Sequence, residues 1–218
     1  MADQTLTGSV RERRRADTVQ ELKEVALRQL STAGSEGLSL RAVAREVGMS
    51  VQSIYHYFAS REDLLTTLVT EGFTALGDAL ADARAAAGLD RAAALTAMCG
   101  RYRSWALTHP AQFLLIYGPP VAGYAAPPGG DTTEAARRVG QLFAETIFGP
   151  GSPAALPAED MAWFVESWAM LHGLTMLEVT NHLDWTGQPP EAVFDAAVRR
   201  LGHDLDQRSG GARATRSR

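Results

Sequence analysis

Between Leu40 and Phe58 two short stretches of helical periodicity meet across Gly48-Met49-Ser50, and this pairing constrains the chain more than any other feature. Ser39 stands where an N-cap belongs, and Leu40, Val43, Ala44 and Val47 then line one side of a helix that Gly48 ends. Met49 and Ser50 complete a tight turn. The next stretch, Val51 to Phe58, puts Val51, Ile54 and Phe58 on one face and turns Gln52, Ser53 and His56 away from it. Two short helices joined by a glycine-containing turn are the minimum needed to lay one helix in the major groove of DNA while the other braces the backbone. Outward side chains that are hydrogen-bonding or aromatic can meet base edges and phosphates without much net charge.

The rest of the chain keeps a three- and four-residue spacing and shows no strand-like alternation, so the expected fold is all-α. Val19, Leu22, Val25, Ala26 and Leu30 mark a helix that ends near Gly34. Ser60 and Asp63 make a capping-box-like start to a long helix that carries Leu64, Leu65, Leu68, Val69, Phe73, Leu76 and Leu80 and is long enough to connect two domains. Further helices are expected near 90–108, 110–120, 131–148, 158–183 and 189–206, with Gly/Pro clusters at 118–130 and 149–157 and a capping-box-like start at Asp131 and Glu134. His109-Pro110 falls at a helix junction. The expected organisation is a helix-turn-helix domain at 11–62, a larger helical domain at 63–207, and an unstructured Gly/Ser/Arg-rich tail at 208–218.

A formal net charge of −4 looks unsuited to a partner that is a polyanion. Residues 1–70, however, carry nine Lys/Arg against nine Asp/Glu, residues 71–207 eight against sixteen, and residues 208–218 four against none. The acidity therefore belongs to the larger C-terminal part and leaves a local basic face possible near the N-terminus. No apolar run approaches the roughly 20 residues that span a bilayer, and the early Arg11-Glu12-Arg13-Arg14-Arg15 run does not fit a signal peptide, so a cytoplasmic protein without a membrane partner is expected. Cys99 sits among apolar positions and reads as a buried small hydrophobe.

The residues Leu40-Arg41-Ala42-Val43-Ala44-Arg45-Glu46-Val47-Gly48-Met49-Ser50, then Ile54-Tyr55-His56-Tyr57-Phe58 and Ser60-Arg61-Glu62-Asp63-Leu64-Leu65, resemble the TetR family of bacterial regulators over about residues 15–70. That resemblance implies an all-helical homodimer whose N-terminal heads read a palindromic double-stranded operator and whose C-terminal domains hold a small-molecule inducer and the dimer interface. By matched position, Gln52, Ser53 and His56 would face bases, Ser50, Tyr55 and Tyr57 would hold phosphates, and Ser39 and Arg41 would meet the backbone. Arg61 stands where the family usually has lysine and keeps the charge. Tyr55 has a second reading as a ring packed on the head's core, and Arg11–Arg15 is either a basic arm reaching the minor groove or phosphates or a solvated leader.

Trp168-Ala169-Met170-Leu171-His172-Gly173 resembles one C-terminal subtype of the same family. Trp105, Phe113, Tyr117, Trp168, His172 and Met176 are candidate ligand-binding residues, with Trp163 and Met170 nearby in sequence; the alternative is an ordinary helical core with one satisfied histidine. Leu171, Leu174, Leu177, Val193, Phe194, Val198 and Leu201 make the last two helices apolar enough for an intersubunit four-helix bundle. No zinc-type histidine spacing, Gly-rich phosphate loop or nucleophile with a nearby base stands out, so no catalytic residue, metal or cofactor is expected. The competing readings are a helical interaction module without DNA binding and an enzyme using the C-terminal pocket.

Overall fold

The computed structural model describes the backbone of residues 3–151 and 156–216, with side chains described for 10–32, 38–151 and 156–208. Among these residues the elements are all helical: α1 Asp3–Gly37, α2 Leu40–Glu46, α3 Val51–Ile54, α4 Arg61–Ala86, α5 Arg91–Thr108, α6 Pro110–Tyr117, α7 Asp131–Phe148, α8 Ala158–Val179 and α9 Pro190–Arg216, with a 3₁₀ turn at Asp184–Thr186. No helix is long and apolar enough to cross a membrane among the described residues.

The chain divides into two compact units, Met1–Gly72 with Ala111–Thr133, and Phe73–Pro110 with Glu134–Arg218. The packing division therefore falls ten residues beyond the expected 62/63 boundary, and a second segment joins the head. The head's core is built from Leu22, Val25 and Ala26 of α1, Val43 and Ala44 of α2, Ile54 and Phe58, and Leu64, Leu65 and Leu68 of α4. Leu115, Val121 and Tyr124 pack against that cluster from the joining segment. The segment is also held to α4 by polar contacts, since Tyr124 donates its hydroxyl to Thr66 Oγ1 at 3.2 Å and the hydroxyls of Thr70 and Thr132 lie 2.8 Å apart. Gly72 permits the approach of α6, because a Cβ there would stand 3.0 Å from Ile116 Cγ2.

In the second unit α5, α8 and α9 pack on one another. Tyr102, Met98 and Leu95 of α5 are fully buried, and α9 contributes Phe194, Ala197, Val198, Leu201 and Leu205 at helical spacing. Arg103 ties the three helices together, donating from Nε and a terminal nitrogen to the two carboxylate oxygens of Glu178 at 2.7 and 2.6 Å while its guanidinium lies 5.5 Å from the Phe194 ring. Asp90 caps α5 by accepting from Ala92 N at 3.0 Å.

Several local expectations change. Helix α1 begins at Asp3, so Arg11–Arg15 is helical and not an extended arm. Residues 208–216, expected as an unstructured tail, continue α9. Arg208 holds Asp160 at 2.7 Å and lies 5.1 Å over the Trp163 ring, and a helix nucleated by such packing extends at one hydrogen bond per added residue. The remaining side chains of that tail lie outside the described residues. Glu134 does not form a capping box at the start of α7 but pairs with Arg137 one turn on. His109 lies at the α5–α6 junction as expected, its backbone N–H bonded to Trp105 O at 2.9 Å.

Candidate nucleic-acid interface

The turn between α2 and α3 is built by hydrogen bonds that the sequence supplies at each position. Ser39 takes an extended backbone and its hydroxyl accepts from Ala42 N at 3.1 Å, which caps α2. At the other end Met49 N bonds Ala44 O at 2.8 Å and Gly48 N bonds Arg45 O at 3.2 Å, the paired reverse bonds of a Schellman ending. That ending needs a left-handed residue, and Gly48 has φ +75°. Ser50 then caps α3, accepting from Ser53 N at 3.1 Å, with the two serine hydroxyls 2.7 Å apart.

Only Val51–Ile54 is α-helical. Beyond it the turn tightens, with His56 N bonded to Ser53 O at 3.2 Å and Tyr57 N to Ile54 O at 2.9 Å, before Phe58 N returns to Ile54 O at 3.0 Å. Ile54 and Phe58 are buried as expected, at 0% and 4% exposure, whereas Val51 at 38% is not a core residue. Val51 opens the helix, one turn before Ile54, and stands beyond the edge of the core. Tyr55 is 51% exposed, so its packed alternative is excluded.

The expected contact residues divide by what they already hold. Arg41, Gln52, Tyr55 and His56 are exposed on the head's surface. Ser39 and Ser50 are exposed caps, and Ser53 is half-buried with its hydroxyl against Ser50. Tyr57 is half-buried and packs on the head's core. Arg61 Nε donates to Leu38 O at 3.0 Å, which ties the start of α4 to the α1–α2 connection. The start of α4 resembles a capping box: Asp63 N bonds the Ser60 hydroxyl at 3.1 Å, while Asp63 Oδ2 accepts from Ala59 N, one residue before the cap, at 2.8 Å. Gln29 and Arg28 of α1, outside the motif, donate to Glu46 of α2 at 3.0 and 3.1 Å, and these hydrogen bonds hold its carboxyl below the usual range. Arg15 reaches the end of the α3 segment, a contact for which the basic run was the only sequence signal.

The C-terminal candidates are not all brought together. Phe113 and Tyr117 belong to the head unit, with ring centroids 5.4 Å apart. In the other unit Trp105 is buried and stacks on His109 at 5.0 Å, and Met176 is half-buried. Trp168 and His172 are together, ring on ring at 6.1 Å, and the sequence reading missed their partners: the Tyr102 hydroxyl lies 2.9 Å from His172 Nδ1, and Tyr102 and Phe143 meet Trp168 edge-on at 5.5 and 5.6 Å. Burial pushes the His172 imidazole below its usual range. Beside Trp168 lies an apolar gap lined by Leu95, Cys99, Phe143, Ile147 and Phe164 among others, about 10 Å³ in volume, which is room for one water. Cys99 is fully buried as expected, and burial pushes its thiol up to about 12.

A capped two-helix unit packed on α1 and α4, presenting an exposed polar segment, defines a helix-turn-helix head. Residues 22–68 match the family described as bacterial regulatory proteins, tetR family, and residues 95–201 match the tetracyclin repressor-like C-terminal domain. The chain belongs to the TetR family. It is similar to the HTH-type transcriptional regulator Rv1816 of Mycobacterium tuberculosis, with 40% identity over 124 residues, 56% of this chain and 53% of that one. The chain thus spans about half the length of that relative. A second M. tuberculosis regulator, Rv0681, is 29% identical over 202 residues, 90% of this chain and 86% of that one. The crystal structure of regulatory protein SCO4313 superposes with a TM-score of 0.75 at 31% identity, covering 87% of this chain and 97% of that one.

Proposed function

We propose that the protein is a dimeric repressor that binds a palindromic double-stranded operator and is released from it by a small-molecule inducer. The observation that carries this reading is the exposed polar segment of α3, in which Gln52 and His56 stand free of the core while Ile54 and Phe58 anchor it. In this reading Gln52 and His56 meet base edges, Arg41, Tyr55 and Arg61 meet phosphates, and the capping hydroxyls of Ser39 and Ser50 sit at the backbone. Ser53 and Tyr57 chiefly shape the segment, since each is half-buried.

A second copy supplies the other head. Leu171, Phe194, Val198 and Leu201 are buried within one chain, so they are not available for an intersubunit surface. The exposed large apolar residues of α8 are Met161 and Val165, four residues apart and on one face, and Leu177, a member of the expected set that lies about 120° further round the helix. These support dimerisation along α8. Two heads related by a two-fold axis must meet major grooves about 34 Å apart. A ligand that prefers a dimer with differently spaced heads lowers operator affinity by linkage. The gap beside Trp168 is the candidate opening for such a ligand, with His172 and Met176 on the same helix.

Fluorescence anisotropy of the full chain against its own upstream intergenic DNA, with scrambled duplex as control and at two salt concentrations, tests the reading. Selective, salt-dependent binding is the expected result. Equal affinity for scrambled DNA and for sequences selected from a random pool would leave a helical interaction module without DNA binding.

A further inference from the structure

We infer that Arg15 is a positioning residue that latches the C-terminal end of the recognition segment and so sets where His56 and Tyr57 point. The inference rests on the DNA-binding reading of α3 for its functional consequence, and on geometry for the latch itself. The α3 segment has one turn of α-helix and then two tightened turns, so its last carbonyls have few intrahelical donors. A terminal nitrogen of Arg15 donates to the His56 carbonyl at 3.2 Å, across 41 residues of sequence. The same guanidinium lies 4.9 Å over the Tyr57 ring. One side chain thus clamps two consecutive residues, the first by its edge and the second by its face.

Only arginine does both, because a planar guanidinium has donors in its plane and a face that stacks on an aromatic ring, whereas a lysine ammonium is a point charge. A cation at this end also meets the partial negative charge of the turn's free carbonyls. Arg15 is itself carried on α1, whose Leu22, Val25 and Ala26 are buried in the head's core, so the clamp has a firm base. The face of α3 opposite the core anchor Ile54 is in this way held from its far end by α1 and from its near end by the Ser50 cap.

The test compares wild type with Arg15→Ala and Arg15→Lys in the full chain. Amide hydrogen exchange at His56, Tyr57 and Phe58 is measured without DNA, and anisotropy is measured on selected and scrambled duplexes at two salt concentrations. Arg15→Ala is expected to speed exchange at these amides several-fold and to weaken selective binding about tenfold, the scale of one charge-assisted hydrogen bond. Binding to scrambled DNA and the salt slope should stay nearly unchanged, and Arg15→Lys should recover part of both losses. Unchanged exchange would overturn the latch. Equal losses on both duplexes with a salt slope reduced by about one would make Arg15 a phosphate contact and overturn the positioning role. Faster exchange in a protein that shows no DNA selectivity even as wild type would uphold the latch and retire the DNA reading separately.

Discussion

Ser50 is a cap by geometry and a proposed phosphate contact, and substitution can separate the two. Its hydroxyl caps a helix of four residues, accepting from Ser53 N at 3.1 Å, and its exposed position is the expected place of a DNA phosphate. Ser50→Ala removes the acceptor, and losing an N-cap serine costs about 1 kcal/mol. In a chain of this size that lowers Tm by roughly 2–4 °C, and because α3 is a single turn, exchange should rise first at Ser53 and Ile54. Ser50→Asp restores the cap, since aspartate is an N-cap acceptor as good as serine, and should return stability to within a few tenths of a kcal/mol of wild type. It also places a negative charge at the helix start, so DNA affinity should fall on every sequence. Thermal denaturation and anisotropy on the three proteins read the two roles independently. Equal Tm for Ser50→Ala and wild type would refute the capping argument, and wild-type affinity in Ser50→Asp would refute the phosphate placement.

Glu178→Gln breaks a two-point ion pair whose side chains are 18% and 12% exposed, leaving Arg103 unpaired among α5, α8 and α9; a loss of about 2–4 kcal/mol is expected in chemical denaturation. His172 has its folded pKa depressed by burial below the ordinary 6.5, so the unfolded chain binds more protons as pH falls below that value. Stability should therefore be fully present above about pH 6.5 and decline as pH falls toward the folded pKa, and His172→Gln should remove that part of the pH dependence of Tm. Arg61→Ala should cost about 1–2 kcal/mol of head stability through the lost bond to Leu38 O and should also lower the salt slope of DNA binding by about one. Arg61→Lys should restore the slope while recovering less of the stability, which salt titrations and melting curves can show.

The helices were legible because their signals are local. Leu40, Val43 and Ala44 share one face, Ser39 and Ser50 are caps, and Gly48 is the left-handed residue of a helix ending, and each of these follows from chain geometry over a few residues. The five C-terminal helices were placed within a few residues at most ends for the same reason, save where α9 runs on past its expected end, the Pro110 junction and the Gly/Pro clusters marking most of their limits. The outward face of α3 followed from periodicity once Ile54 and Phe58 were assigned to the core, and the matched motif then gave roles to Gln52 and His56.

Long-range pairing was not legible, because nothing in a periodic pattern says which apolar faces meet. Val121 and Tyr124 lie in a Gly/Pro-rich stretch that reads as a loop, yet they pack on the head's core more than fifty residues from the helix-turn-helix. Leu171 and Phe194 read as an intersubunit surface, and the fold consumed them within one chain. The Tyr102–His172 pair spans 70 residues, the Arg103–Glu178 pair 75, and the Arg15–His56 contact 41. By itself, then, the sequence determined most of the helices, the serine caps at Ser39 and Ser50 and the family, all written in neighbouring residues. Tertiary structure alone decided which faces were spent on the core, and hence which side chains remained exposed.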